Sequence, residues 1–410
     1  MIQKYFQNKD RRNFSIAMIW INGGSSMDVE NKKGINQILC SLLSRGCKDF
    51  ENLAFSEYLH SHGAELNLET LEDGTLISLK SLDEYFYKLF PLLDLIINQP
   101  SLPYSQFQNV KKSAINTLKK DKENPFNITF EKWRKIVYLK HSYAYNSYGY
   151  EEDISKINYN DVLSEYENFK NRDKYLISNN LILKSKSYDL FNHNICKNKF
   201  ISNHVDCENN YQDRNIFNRY VSTHKKSNQV ILMLGNQTCP ISSHEYLPLK
   251  ILESHLSYGM SSVLFKLFRE KNGLTYEVGV YNPFRKQNAP FLIYLSVSNK
   301  NARLAFEILS DLWRNLLFSL IDDKDIYLAK IKLESSTLIS NQTLDEILQR
   351  KIQFIGYDLD EEFNFLTKIR DVDSEDILKV SRKFLSKPFL SIYGDRKICE
   401  EIKKLWIKDF

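Results

Sequence analysis

Residues 259–278 read GMSSVLFKLFREKNGLTYEV, and the stretch turns from one regular structure into another within a few residues. Val263, Leu264, Leu267 and Phe268 recur at helical spacing, which predicts a helix over Ser261 to Lys271. Gly273 suits the left-handed residue that closes a helix, and Leu274, Thr275, Tyr276 and Val278 favour a strand. Arg269 and Tyr276 therefore stand on either side of a helix-to-strand corner. Each has an ordinary explanation by itself. A cation suits the last turn of a helix by about 0.3–1 kcal/mol, and an aromatic residue suits a strand.

Working outward from this corner, the chain repeats one plan twice. In the first half the strand-like FSIAMIWING leads to the helix INQILCSLLSRG and a second helix from Ala54 to Gly63. The alternating segments AELNLETL and GTLISLKSL follow, then the leucine-rich helix EYFYKLFPLLDLIIN. In the second half NQVILMLG leads to LPLKILESHL, the Arg269 helix, the paired segments YEVGVYNP and PFLIYLSVS, and the helix ARLAFEILSDLWRNLL. Each copy continues into a long amphipathic helix (YSQFQNVKKSAINTLKK, KDIYLAKIKLESSTLI) and returns to a strand near KYLISNNLIL or FLSIYGD. The asparagine-rich segment from Ser187 to Asn215 has no strong period and reads as a connector. The expected organisation is a domain over 1–190, a linker over 191–224 and a second domain over 225–410. Each is an α+β sandwich in which a mainly antiparallel sheet carries helices on one face.

The combination GMSS, LF, RE and GLTY resembles the C-terminal module of the M16 (pitrilysin or insulinase) peptidases, with Val263 where that module usually has arginine. The resemblance extends over nearly the whole chain and implies two homologous halves in a clam-like arrangement. It also implies that Arg269 holds substrate carbonyls and that Tyr276 steadies an oxyanion. The same family opens with G-x-x-H-x-x-E-H-x-x-x-x-G-T on a helix, where two histidines bind zinc and the glutamate is general base. Here that frame is GINQILCSLLSRGC, with Gln37 and Ser41 at the histidine positions and Cys40 at the base. A third ligand would come from VKKSAINTLKKDKENP, where Thr117 stands. Amide and hydroxyl oxygens replace imidazole and carboxylate poorly on zinc, so the expectation is no metal and no cofactor in this chain.

Composition sets outer bounds. With 410 residues, 42% of them hydrophobic, the chain exceeds one ordinary domain and can bury sizeable cores. A net charge of +5, from lysines dispersed along the chain, does not indicate nucleic acid. No apolar run is long enough for a membrane span, and the N-terminus lacks the apolar core of a signal peptide, so a soluble cytoplasmic protein is expected. Cys40, Cys47, Cys196, Cys207, Cys239 and Cys399 form no C-x-x-C pair and read as free thiols. Cys40 has no visible base beside it, which leaves a thiol hydrolase without support. His60, His62 and Glu65 lie close in sequence at a helix stop, but spacing alone does not supply the convergent geometry a zinc site needs, and solvated polar residues are expected there. His141, in LKHSYAYNSYGYEEDI, matches a packing segment of the family, whose tyrosines could touch a bound peptide.

A chain that keeps the arginine and tyrosine but has lost the zinc helix resembles one half of a split peptidase. The expected role is a substrate-binding subunit, inactive alone, that forms a heterodimer with an H-x-x-E-H homologue. That partner would carry the zinc, and the substrate would be an unfolded or extended peptide. The alternative is a scaffold with the same fold and no proteolysis, like the core subunits of the respiratory bc1 complex.

Overall fold

The computed structural model describes residues 2–6, 13–48, 50–180, 215–275, 277–359 and 365–410. The first half runs β1 (Ile2–Phe6), β2 (Phe14–Asn22), α1 (Ile35–Leu43), β3 (Gly46–Cys47), β4 (Phe50–Glu51), α2 (Asn52–Ser61), β5 (Glu65–Thr70) and β6 (Gly74–Leu82). Helices α3 (Asp83–Leu89), α4 (Pro91–Asn98), α5 (Tyr104–Asp121), α6 (Pro125–Tyr138), α7 (Glu151–Lys156) and α8 (Tyr159–Lys170) lead to β7 (Lys174–Ser178). The second half runs β8 (Tyr220–His224), β9 (Gln229–Gln237), α9 (Tyr246–Ser257), a π-helix (Phe265–Lys271), β10 (Glu277–Tyr281) and β11 (Pro290–Ser298). It ends with α10 (Ala302–Phe318), α11 (Asp323–Ile339), α12 (Leu344–Gly356), α13 (Ser374–Leu385), β12 (Phe389–Gly394) and α14 (Arg396–Asp409).

The repeat read from the sequence is the repeat of the fold. One five-stranded sheet has the order β1-β7-β2-β6-β5 and the other, read from the corresponding edge, β8-β12-β9-β11-β10. In each, the first pair is parallel and the remaining pairs are antiparallel. Residues 220–224, within the segment expected to be linker, are the edge strand β8 paired with β12. Ile216–Arg219 before it form a short 3-10 helix, and 191–214 lies outside the described residues.

The compact units differ from the continuous halves expected over 1–190 and 225–410. The first unit comprises Met1–Lys120, Tyr145–Asn203 and Asn341–Phe363; the second comprises Asp121–Ala144, His204–Ser340 and Asn364–Phe410. Helix α6 therefore belongs to the second unit and α12 to the first. The central strands explain why. Along β2, Ala17, Ile19 and Ile21 join a core with Ile38, Leu39 and Leu42 of α1 and Leu93 and Ile97 of α4. Side chains alternate across a sheet, so Ile16, Met18 and Trp20 point to its other face, and they too are buried. There α12 packs on β2 and β7, with the Tyr357 ring edge-on to Trp20 at 5.8 Å. A strand covered on both faces reads as an unbroken apolar run, and IAMIWI is one. By contrast β5, at the sheet edge, alternates exposed and part-buried residues over most of its length.

In the second unit α6 plays the corresponding part, packing on β8, β9 and β12. Asn124 caps it by accepting the Phe126 N–H at 2.9 Å, and Pro125 opens the first turn, where a missing N–H costs nothing. Trp133 Nε1 donates to the Phe389 carbonyl at 3.2 Å, and Ser391 Oγ donates to the Thr129 carbonyl at 2.9 Å. Among the described residues no helix is long and apolar enough to cross a membrane.

Candidate functional site

Arg269 lies on the π-helix, which Leu264 and Phe268 anchor by their complete burial. The helix ends as the sequence predicts. Gly273 has φ +57°, its N–H bonds to the Arg269 carbonyl at 3.1 Å, and the Leu274 N–H bonds to the Phe268 carbonyl at 2.7 Å. Thr275 then fixes the entry to β10, its hydroxyl donating to the Ser296 carbonyl and accepting the Glu277 N–H at 3.0 Å. The Arg269 side chain is exposed, with its guanidinium carbon 5.0 Å from the centre of the Phe265 ring. A π-turn widens the helix by one residue per hydrogen bond and so re-aims the side chains of its last turn. Tyr276 lies outside the described residues.

The positions that frame a zinc site in the sequence comparison are filled differently. On α1, Gln37 and Ser41 share a face at i and i+4, and the Ser41 hydroxyl donates to the Gln37 carbonyl at 2.9 Å. Thr117, exposed on α5, makes the same backward bond to the Ser113 carbonyl at 3.2 Å. Such bonds satisfy a hydroxyl within its own helix. Cys40 is buried, and burial pushes its thiol up to about 12, partly offset by a hydrogen bond with Thr70. A buried thiol held protonated in this way is a poor nucleophile. Gln37, Cys40, Ser41 and Thr117 thus do not fit zinc. Among the described residues no group of three His, Cys, Asp or Glu side chains converges on a metal position.

The histidines take ordinary places. His62 sits with Nδ1 2.8 Å from the Tyr58 carbonyl, between the rings of Tyr58 and Tyr85, while His60 is exposed. His141 accepts the Tyr143 N–H on Nδ1 at 3.1 Å, and burial pushes its pKa down to about 4, so it is neutral at physiological pH.

One constellation went unread in the sequence. Lys250 and Glu253 on α9 are buried and form an ion pair at 2.7 Å, without hydrogen-bond geometry at that oxygen. Lys250 Nζ donates to the Asn282 carbonyl at 2.9 Å, and the Tyr258 hydroxyl donates to Glu253 Oε1 at 3.2 Å. Tyr258 precedes the Arg269 segment and Asn282 follows β10, so the pair ties down both ends of the corner. The signal was present in the repeat. QILCSLLSRG (37–46) aligns with KILESHLSYG (250–259), and both closing glycines have positive φ, +138° at Gly46 and +76° at Gly259. In this alignment Lys250 and Glu253 stand where Gln37 and Cys40 stand in the first unit.

Comparison with known proteins gives concordant results. Residues 5–149 match the family model described as insulinase (peptidase family M16), and residues 203–333 match that described as peptidase M16 inactive domain. The chain is 23% identical over 339 residues to the Bacillus subtilis protein named uncharacterized zinc protease YmxG, covering 82% of this chain and 81% of that one. It is also 23% identical over 145 residues to the Helicobacter pylori protein named non-peptidase homolog YmxG, covering 35% of this chain and 33% of that one. The fold superposes on the crystal structure of a peptidase M16 inactive domain from Pseudomonas fluorescens with a TM-score of 0.82 at 16% identity, covering 96% of this chain and 95% of that one.

Proposed function

Because this chain belongs to the M16 peptidase family, we propose that it is the substrate-binding, non-catalytic subunit of a two-chain zinc peptidase located in the cytoplasm. The observation that carries the reading is the division of motifs. The family's arginine and tyrosine positions hold Arg269 and Tyr276, while its metal and base positions hold Gln37, Cys40, Ser41 and Thr117. The complementary set, H-x-x-E-H with its zinc, would stand on a homologous partner, where the metal polarises the scissile carbonyl. This chain's own contribution is recognition and charge stabilisation. Arg269, exposed at the end of the π-helix, holds carbonyl oxygens of an extended peptide. Tyr276 donates its phenolic hydrogen to the oxygen on which negative charge develops. The main chain of an extended peptide would supply most of the contacts.

The test is to mix the purified chain with an H-x-x-E-H homologue and follow peptide cleavage and size-exclusion elution. Activity is expected from the mixture and not from this chain alone, which is also expected to hold no stoichiometric zinc. In the mixture Tyr276→Phe should lower turnover by about 10²–10³ with little change in apparent affinity, as for other single oxyanion donors. Arg269→Ala should weaken capture as well. A homologue that is fully active by itself and gains nothing from this chain would return the protein to the scaffold reading.

A further inference from the structure

The second unit carries a groove that the Arg269 corner does not use. It encloses about 260 Å³ on the sheet face where α6 packs, and Asn124, Phe126, Gln229, Glu277, Tyr294 and Ser296 line it. Small-molecule sites commonly enclose about 300–1,000 Å³, so this groove has the size for one side chain rather than a whole cofactor.

Its construction follows from strand register. Glu277 on β10 pairs with Ser296 on β11, which pairs with Ile231 on β9, so the three share one face and form the floor. Tyr294 lies opposite Gly279, where a β-carbon would stand 2.7 Å from the tyrosine oxygen. The glycine therefore lets the Tyr294 ring lie across β10 with its hydroxyl directed towards the sheet edge. Phe126, in the first turn of α6, meets that ring edge-on at 5.1 Å and 90°.

The chemistry of the lining is one-sided. Among the described residues Glu277 supplies the only charge of the lining, and its carboxylate makes no ion pair or side-chain hydrogen bond. Around it stand the Ser296 and Tyr294 hydroxyls, the Gln229 amide and two aromatic rings. The Asn124 side-chain oxygen accepts the Phe126 N–H and is thereby engaged in capping α6. A negative, acceptor-rich groove with aromatic walls selects a cation bearing several N–H groups in one plane, which describes a guanidinium better than an ammonium.

The position of Glu277 indicates how such a group arrives. It is the first residue of β10, which among the described residues is an edge strand with no neighbour on its outer side. A peptide extended along that edge presents alternate side chains to the groove face. We propose that this groove is a subsite for an arginine side chain of an extended peptide, with Glu277 as its counter-ion and Tyr294 and Phe126 as its walls. The inference takes peptide binding by this chain as its premise, and its test leaves out the H-x-x-E-H partner so that the two readings fail separately.

The full chain would be titrated with fluorescein-labelled heptapeptides of alanine and serine carrying one central arginine, or citrulline, which keeps the shape and loses the charge. N-acetyl-arginine amide serves as a competitor without a peptide backbone. The arginine peptide should bind about tenfold more tightly than the citrulline peptide, the scale of one partly exposed charge-assisted hydrogen-bond set. Glu277→Gln should make the two affinities equal in a variant whose circular dichroism matches the parent. The amide should compete only at far higher concentration, because it lacks the edge contacts. Equal affinities in the parent chain, an arginine preference that survives Glu277→Gln, amide competing as well as the peptide, or no binding of either peptide would each overturn the assignment.

Discussion

Replacing Lys250 by methionine removes the charge from α9 while keeping an unbranched side chain of similar length. Lys250 and Glu253 have side chains only 10% and 9% exposed, so the glutamate would be left as an uncompensated buried charge. Breaking a buried pair from one side costs about 3–5 kcal/mol, and the lost bond from Nζ to the Asn282 carbonyl is part of that figure rather than an addition to it. For a unit of roughly 200 residues, each kcal/mol corresponds to about 2–4 °C, so the second unit should melt about 10 °C lower. Intrinsic fluorescence reports this well, because Trp133, Trp313 and Trp406 lie in the second unit and only Trp20 in the first. The double variant Lys250→Met, Glu253→Leu should recover most of the loss, since well-packed apolar residues replace buried ion pairs at little cost. It should not recover function. With both tethers gone, at Tyr258 and at Asn282, the Arg269 corner keeps its fold but loses its fixed ends, so peptide capture should fall even in the thermally restored protein. A single variant that costs under about 1 kcal/mol would refute the buried-pair argument. A double variant that captures peptide like the parent would refute the tethering argument.

Two further outcomes follow from the first unit. Asp28 accepts the Gly34 N–H at 2.6 Å and the Asn36 N–H and Nδ2 at 3.2 and 2.8 Å, and burial is the largest influence on it, raising its pKa to about 6 against the lowering effect of these bonds and of Lys33. A folded pKa above the unfolded value means stability that is fully present below about 3.9 and is lost as pH rises through 6, about 3 kcal/mol in all. Asp28→Asn should abolish that slope, measured as the difference in urea unfolding free energy between parent and variant at pH 4 and pH 7.5; parallel curves would show that the carboxyl is not held protonated. In Gly356→Ala the new β-carbon would stand 2.2 Å from Trp20 Nε1, itself bonded to Asn22 Oδ1 at 2.9 Å. Overpacking of about 1–3 kcal/mol outweighs the helix-propensity gain of alanine, so α12 should become an early site of limited proteolysis.

Local pattern determined the elements and their repetition. Unbroken or alternating apolar runs such as IAMIWI and GTLISLKSL became β2 and β6, and Gly273 closed the Arg269 helix, because period and backbone conformation are written within a few residues. That Gln37, Cys40, Ser41 and Thr117 are neither histidine nor glutamate is likewise a matter of residue type alone. Helix amphipathicity says that a face must be covered without saying by which sheet, so the membership of α6 in the second unit and α12 in the first came only from packing. The same holds for protonation and for sites assembled from distant residues. The Cys40 thiol is held near 12 by its surroundings, and the Lys250–Glu253 pair acts through Asn282 and Tyr258. The groove joins positions 124, 229, 277 and 294, which no window along the chain contains, since burial and charge compensation depend on neighbours that only the folded chain supplies.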